Sequence, residues 1–493
     1  MTLEKTVTKN TLTQIGGRFL SVLLSAVLFR IISGHLGVSG VGEYNTAFVY
    51  IQVFGAVGDL GLYLYLVQAF TKDEKRAPEL LGNALGFRLA FTALLLLAAW
   101  LITALVPTTT YTVATKFGII LGALIASISL LFQALTAYFQ QQYKSELIVL
   151  PETLGKIVTL VLTYLVVKAG LGLEPIMTVA LIGSAVTFVL AWLIIQRSFR
   201  LRFQFNFRLW AREGRLLGPL ALLSALTLVH SRIDNIILSL IKGSHSYEMG
   251  IYSGAYRMYD LVLVVPAILA GNLVPILSSR FQRDRTVFQK AAGATSLLSL
   301  LGGSVAMAVI YVFAPFILTI LAGPSFQAGT LALRILSISL IALFLSQQMT
   351  NLLIATGQTA KAIPAIILVI LVNAGLNIAL IPIWPILAPA VLTGVTEGVL
   401  LWLKWRALSP DSRPCLPIFR SAALIGVAVA VASLLARQVD GALPVFGALP
   451  FAGQLIVFLN LATFLTGFLL VIVVGLGLIP LGLLKFSERP GDA

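Results

Sequence analysis

Twelve ionisable side chains fall inside stretches of this chain that are otherwise apolar, and their types bound the chemistry it can perform. The basic ones are Arg18, Arg30, Arg88, Lys156, Arg232, Arg257 and Arg334. The acidic ones are Asp59, Glu152, Asp234, Asp260 and Glu397. A charge inside hydrocarbon is costly, so such a residue faces a partner or a wet cavity. Some have a partner within reach. Glu152 and Lys156 stand at i, i+4 in the acid-first order that favours pairing on one helix face. Asp260 follows Arg257 by three residues, and Asp234 shares its depth with Arg257, so an interhelical Asp234–Arg257 pair competes for the same charges. Seven bases against five acids still leave a cationic surplus. The planar guanidinium fork suits phosphate, to which it makes bidentate bonds. The surplus therefore points to an anionic head group, whereas an exporter of cations needs surplus carboxylates.

Other chemistries have no residues to carry them. There is no G-x-x-x-x-G-K-[ST] loop for a nucleotide. There is no HExxH, and His35, His230 and His245 are scattered without metal-ligand spacing. The single Cys415 excludes an intramolecular disulfide framework and a Cys-rich metal site. The first outer loop, residues 34–43, offers one carboxylate, Glu43, so the chain is not expected to be an enzyme. No cofactor is expected beyond a coupling ion, Na+ or H+.

The elements that must position these charges are membrane helices. The chain has 493 residues, 58% apolar and 11% charged, with a mean hydropathy of +0.98. A soluble domain cannot hide that much apolar surface, so most of its solvent is lipid. Spans are expected at 12–33, 43–70, 84–106, 115–140, 146–168, 174–196, 217–241, 251–277, 287–314, 327–355, 361–382, 385–405, 418–437 and 451–484, fourteen in all. With both termini cytoplasmic, 23 of the 34 Lys and Arg, Lys404 among them, fall on the inner side and 4 on the outer side. That is the positive-inside asymmetry. It accounts for the net charge of +15 without a nucleic-acid partner. At about 1.5 Å per residue, Arg18 and Arg88 lie near the cytoplasmic face and Lys156 near the midplane, with Arg30, Arg257 and Arg334 nearer the outer face. Trp100, Trp192, Trp384, Trp402 and Trp405 stand near span ends as interfacial anchors. The basic segment 197–216, with Phe203, Phe205 and Phe207 alternating with polar residues, reads as a linker lying in the headgroup layer.

The chain also repeats itself. Gly42-Glu43-Tyr44-Asn45-Thr46-Ala47 recurs 208 residues later as Gly250-Ile251-Tyr252-Ser253-Gly254-Ala255, both G-x-Y-x-x-A. Two like-oriented helix bundles are an architecture of alternating-access transporters. The motifs go further. His35-Leu36-Gly37, Gly42-Glu43-Tyr44 and Gly58-Asp59-Leu60-Gly61-Leu62 resemble the LG…GxY…DLGL signature of bacterial polysaccharide flippases. In the second half, Pro219, Arg232-Ile233-Asp234, Gly250-Ile251-Tyr252 through Arg257, Pro266 and Pro275 resemble the P…RID…GxYxxAxR…P…P run of the same family. That family belongs to the multidrug/oligosaccharidyl-lipid/polysaccharide exporter superfamily.

The resemblance implies an all-α integral membrane fold with two six-helix lobes, related by a pseudo-two-fold along the membrane normal, and two C-terminal helices. The expected organisation is an N-lobe at 1–196, a cytoplasmic linker at 197–216, a C-lobe at 217–406, and spans 13–14 with the tail at 407–493. It implies a flippase in the cytoplasmic (inner) membrane that moves a polyprenyl-(pyro)phosphate-linked oligosaccharide outward. Arg18, Arg30, Arg88, Lys156, Arg257 and Arg334 are the substrate-facing cations, and Asp59, Asp234, Asp260 and Glu397 are the candidates for gating or ion coupling. A lipid II flippase and an ion-coupled multidrug exporter are the alternatives. The Arg-Asp pair that marks the first span of lipid II flippases is absent, since Phe19 follows Arg18 and Ile31 follows Arg30. The expected partners are membrane lipids, a glycan polymerase or glycosyltransferases, with no nucleic acid, and the expected state is a monomer.

Overall fold

The computed structural model describes residues 3–59, 61–72, 76–142, 144–414, 418–447 and 453–454. Fourteen α-helices run through them: α1 (Leu3–Asp59), α2 (Leu62–Lys72), α3 (Ala77–Leu105), α4 (Val113–Gln141), α5 (Glu146–Lys168), α6 (Leu173–Gln196), α7 (Phe207–Lys242), α8 (Tyr247–Val262), α9 (Val264–Arg283), α10 (Arg285–Leu321), α11 (Thr330–Ala355), α12 (Ile363–Leu380), α13 (Leu387–Ala407) and α14 (Ile418–Gly447). Among the described residues, nine helical segments are long and apolar enough to cross a membrane. The chain is a multi-pass membrane protein. Large apolar side chains stay exposed on α3, α5 and α12, among them Leu94, Leu165 and Leu371, as a lipid solvent allows.

The number of helices matches the number of expected spans, but the two sets differ. Expected spans 12–33 and 43–70 join into α1, which breaks at Gly37 (φ 67°, ψ −173°). Only glycine enters that backbone region without strain. The expected outer loop 34–43 is therefore helical, and Glu43 sits on a helix. A second positive-φ glycine, Gly61 (φ 70°) of the DLGL stretch, lies between α1 and α2. Expected span 251–277 divides into α8 and α9. The last expected span, 451–484, lies outside the described residues apart from 453–454.

The chain falls into two compact units. One comprises the described residues of Met1–Ser253 with Ile370–Pro385; the other comprises those of Gly254–Val369 with Ile386–Ala493. The first unit takes in all of α7 and the first turns of α8. In this unit α2, α3, α4 and α6 close over a core of Leu66, Phe70, Leu81, Leu135, Phe139 and Ile195. In the second, α10 is largely buried, and its N-terminus is capped by Asp284, which accepts from the Thr286 amide at 2.7 Å and the Val287 amide at 3.3 Å. Hydrogen bonds from the Thr286 hydroxyl and then from these amides hold the Asp284 carboxyl below the usual carboxylate range.

The linker is shorter than expected, because α7 starts at Phe207. Its extended residues are fastened to α3. The Gln204 amide donates to the Gly82 carbonyl at 3.0 Å, and Phe203 stacks on Trp192 at 5.2 Å. Trp192 thus clamps the linker. A Cβ on Gly86 would overlap the Gln204 carbonyl oxygen. Gly86→Ala is expected to cost about 1–2 kcal/mol, because the obstacle is backbone, and to speed tryptic cleavage at Arg200 and Arg202. Unchanged cleavage and melting would show that the linker yields at no cost.

Candidate functional site

The ten candidate residues divide between the two units. Arg18, Arg30, Asp59, Arg88, Lys156 and Asp234 belong to the first; Arg257, Asp260, Arg334 and Glu397 belong to the second.

Arg88 and Asp59 find each other across 29 residues of sequence. Arg88 Nη2 lies 2.6 Å from Asp59 Oδ1 and 3.1 Å from Gln133 Oε1, and its Nη1 donates to the Leu130 carbonyl. The Arg88 side chain is 0% exposed and Asp59 21%. Arg88 is thus a buried cation that ties α1, α3 and α4 together, with Asp59 as its counter-ion. Arg334 is likewise engaged. Its Nη2 is 2.6 Å from Asp440 Oδ1, its Nε donates to the Tyr311 carbonyl at 3.1 Å, and its guanidinium lies over the Tyr311 ring. Asp440 was out of reach of sequence reasoning because it lies beyond the expected end of span 13, on a helix that continues to Gly447.

Arg18 and Arg30 behave differently. Both lie on α1, and among the described residues neither forms an ion pair. Arg18 is exposed and Arg30 half-buried. Arg257 is half-buried on α8. Lys156 pairs with Glu152 at 3.6 Å on one face of α5. Ser21 of α1 joins them: its hydroxyl lies 3.1 Å from Glu152 Oε1 and accepts from Lys156 Nζ.

Asp234 is 2% exposed on α7. Its Oδ1 accepts from Asn377 Nδ2 at 2.9 Å, and the same amide lies 2.8 Å from Asn373 Oδ1. Asn373 and Asn377 sit at i, i+4 on the apolar α12, and both are buried. Among the described residues, the Asn377 Oδ1 is a buried acceptor with no hydrogen-bond partner. Two amides one turn apart in an otherwise apolar span are a readable signal that charge counting passes over. Glu397 is buried on α13, seven residues before Lys404, which is fully buried with its Nζ 3.0 Å from Ser346 Oγ. Among the described residues no cluster of three or more His, Cys, Asp or Glu could hold a metal ion.

The repeated glycines meet. A Cβ on Gly42 would sit 2.6 Å from the Ser244 carbonyl oxygen and 3.1 Å from the Gly250 amide, and one on Gly250 would overlap the Val38 carbonyl oxygen. Beside this joint Glu43 accepts from the Thr112 hydroxyl and lies 3.2 Å from His245 Nδ1. The Ser244 amide donates to the Thr110 carbonyl at 2.8 Å.

This geometry has known counterparts in fold. The chain is similar to a lipid II flippase, MurJ, in an inward closed conformation (TM-score 0.69, 14% identity, 94% of this chain and 98% of that one). It is similar to an inward-facing multidrug resistance MATE family transporter of the MOP superfamily (TM-score 0.62, 15% identity, 88% and 99%). It is also similar to a MOP superfamily transporter from Pyrococcus furiosus, described as having a binding pocket of reverse polarity (TM-score 0.60, 16% identity, 89% and 96%). These likenesses establish the fold. No curated protein matches the sequence. The family model for polysaccharide biosynthesis proteins matches residues 7–281, a stretch that holds both glycine motifs and more than half of the chain. On that match, and on this fold, the chain belongs to the polysaccharide biosynthesis protein family.

Proposed function

We propose that the chain is an alternating-access flippase that moves a polyprenyl-(pyro)phosphate-linked oligosaccharide from the inner to the outer leaflet of the cytoplasmic membrane. The observation that carries this reading is the state of α1: two arginines within one membrane helix, neither in an ion pair among the described residues. Such cations need an anionic ligand or water, and pyrophosphate is the anion that guanidinium pairs bind best. Membership of a polysaccharide biosynthesis family supports a glycan as the cargo. Arg18, Arg30 and Arg257 are the phosphate-facing residues in this proposal. Arg88 and Arg334 serve the scaffold.

A flippase without a nucleotide site needs an ion gradient to set direction. Asp234 is the strongest of the four carboxylate candidates. A buried carboxylate beside an unpartnered amide oxygen is the oxygen donor set that hard cations prefer. Na+ or H+ would bind there in competition with the Asn377 amide.

The test is export of surface polysaccharide in cells dependent on this chain. Arg18→Ala and Arg257→Ala are each expected to cut export about tenfold, the worth of one charge-assisted bond of roughly 1.4 kcal/mol. Asp234→Asn is expected to abolish dependence on the ion gradient. Normal export by both arginine variants at normal protein levels would remove the cationic-site reading. Uptake of cationic drugs instead of glycan export would favour the multidrug alternative.

A further inference from the structure

Beside Lys156 the first unit holds a half-open pocket of about 250 Å³ between α4, α5 and α6. Typical ligand pockets span roughly 300–1,000 Å³, so this one has room for a single ring rather than a chain. Two glycines create the space. A Cβ on Gly155 would overlap Thr187 Oγ1, and one on Gly183 would overlap Thr159 Oγ1. The α5 and α6 backbones therefore approach closely enough for each threonine to occupy the notch opposite it.

The hydrogen-bonding character of the lining is unusual. Its four hydroxyls all spend their hydrogen on their own helix, one turn back: Ser129 on the Ile125 carbonyl at 2.8 Å, Thr159 on Gly155 at 2.9 Å, Ser184 on Ala180 at 3.0 Å and Thr187 on Gly183 at 3.0 Å. A hydroxyl carries one hydrogen and two lone pairs. Toward the cavity these oxygens are therefore acceptors. Glu152 adds a carboxylate. The one cation, Lys156, is already bonded to Ser21 and sits 3.6 Å from Glu152, so the two charges cancel.

A phosphate suits this lining poorly, because it brings negative charge and only acceptor oxygens. A bare cation would meet the Lys156 ammonium. A compact neutral ligand that carries several O–H donors matches it, with Phe132 as the apolar wall for its C–H face. We infer that this pocket binds one uncharged sugar ring of the transported glycan, and that Lys156 and Glu152 act together as donor and acceptor to that ring rather than Lys156 alone as a phosphate receiver. The inference rests on the flippase reading above.

The test uses the full chain in lipid nanodiscs and saturation-transfer NMR with three probes, glucose, galactose and N-acetylglucosamine, and with inorganic pyrophosphate and Na+ as competitors. At least one sugar is expected to give a signal that excess pyrophosphate and Na+ leave unchanged. Thr187→Val with Ser184→Ala keeps shape and removes two acceptors. It is expected to weaken that signal about thirtyfold, at roughly 1 kcal/mol for each of the two lost bonds. Ser129→Ala, which removes one acceptor at an exposed position, provides a second reading if the double variant melts early. No signal from any of the three sugars, or displacement by pyrophosphate or Na+, overturns the assignment. Export by the same variants separates the two levels. Normal export with an altered pocket sinks this inference and leaves the flippase standing. Absence of glycan export by the unaltered chain sinks the flippase whatever the sugars do.

Discussion

Arg88→Met is expected to destabilise the protein by about 3–5 kcal/mol, the cost of removing one partner from a buried ion pair. The guanidinium holds three groups at once: Asp59, Gln133 and the Leu130 carbonyl. Methionine fills much of its volume but leaves the Asp59 carboxylate largely buried without its counter-ion. Adding Asp59→Leu is expected to recover most of the loss, because an apolar pair of similar volume often matches or exceeds a buried ion pair in stability. Thermal unfolding of the single and double variants in the same detergent measures both effects. The outcome also decides the role of Arg88. A single variant that melts normally yet loses export would return Arg88 to the substrate-facing set.

Gly250→Val carries the next largest effect, about 3 kcal/mol, at the upper end for overpacking. The obstacle is the Val38 carbonyl oxygen, with the Val38 Cγ1 only 2.7 Å from the added Cβ. A side chain can rotate aside, but a carbonyl within a helix moves only with its helix. Gly42→Val meets the same joint from the other side, at the Ser244 carbonyl. Because the two variants share one contact, their combined cost is expected to be less than the sum. Gly375→Ala is the control: nothing lies within 4 Å of its added Cβ, and a helical Gly→Ala change is neutral or mildly stabilising. Equal melting of Gly250→Val and Gly375→Ala would show that the joint does not need glycine.

This joint shows how much a linear reading can reach. The spacing of Gly42 and Gly250 is visible in the sequence as a repeat, and the repeat points to two related halves. It does not say that the two glycines touch. The glycine-rich stretch from Gly34 to Gly42 reads as a loop by composition, since glycine and serine favour turns. It is helical, and the glycine at 42 serves instead the close approach of the α7–α8 turn, at the Ser244 carbonyl. Only Gly37 leaves helical geometry.

The charged residues divide along the same line. Glu152 and Lys156 lie one helical turn apart, and local geometry suffices to pair them. Arg88 with Asp59 and Arg334 with Asp440 are separated by 29 and 106 residues, and no local rule selects them. Hydropathy, charge sign and helical spacing are properties summed along the chain. They establish a lipid solvent, a helical fold, a surplus of cations and two related halves without reference to any contact. Which cation is neutralised by which acid depends on the helix faces that pack together. Packing energy accumulates over whole interfaces, so that choice is made only when the helices are assembled.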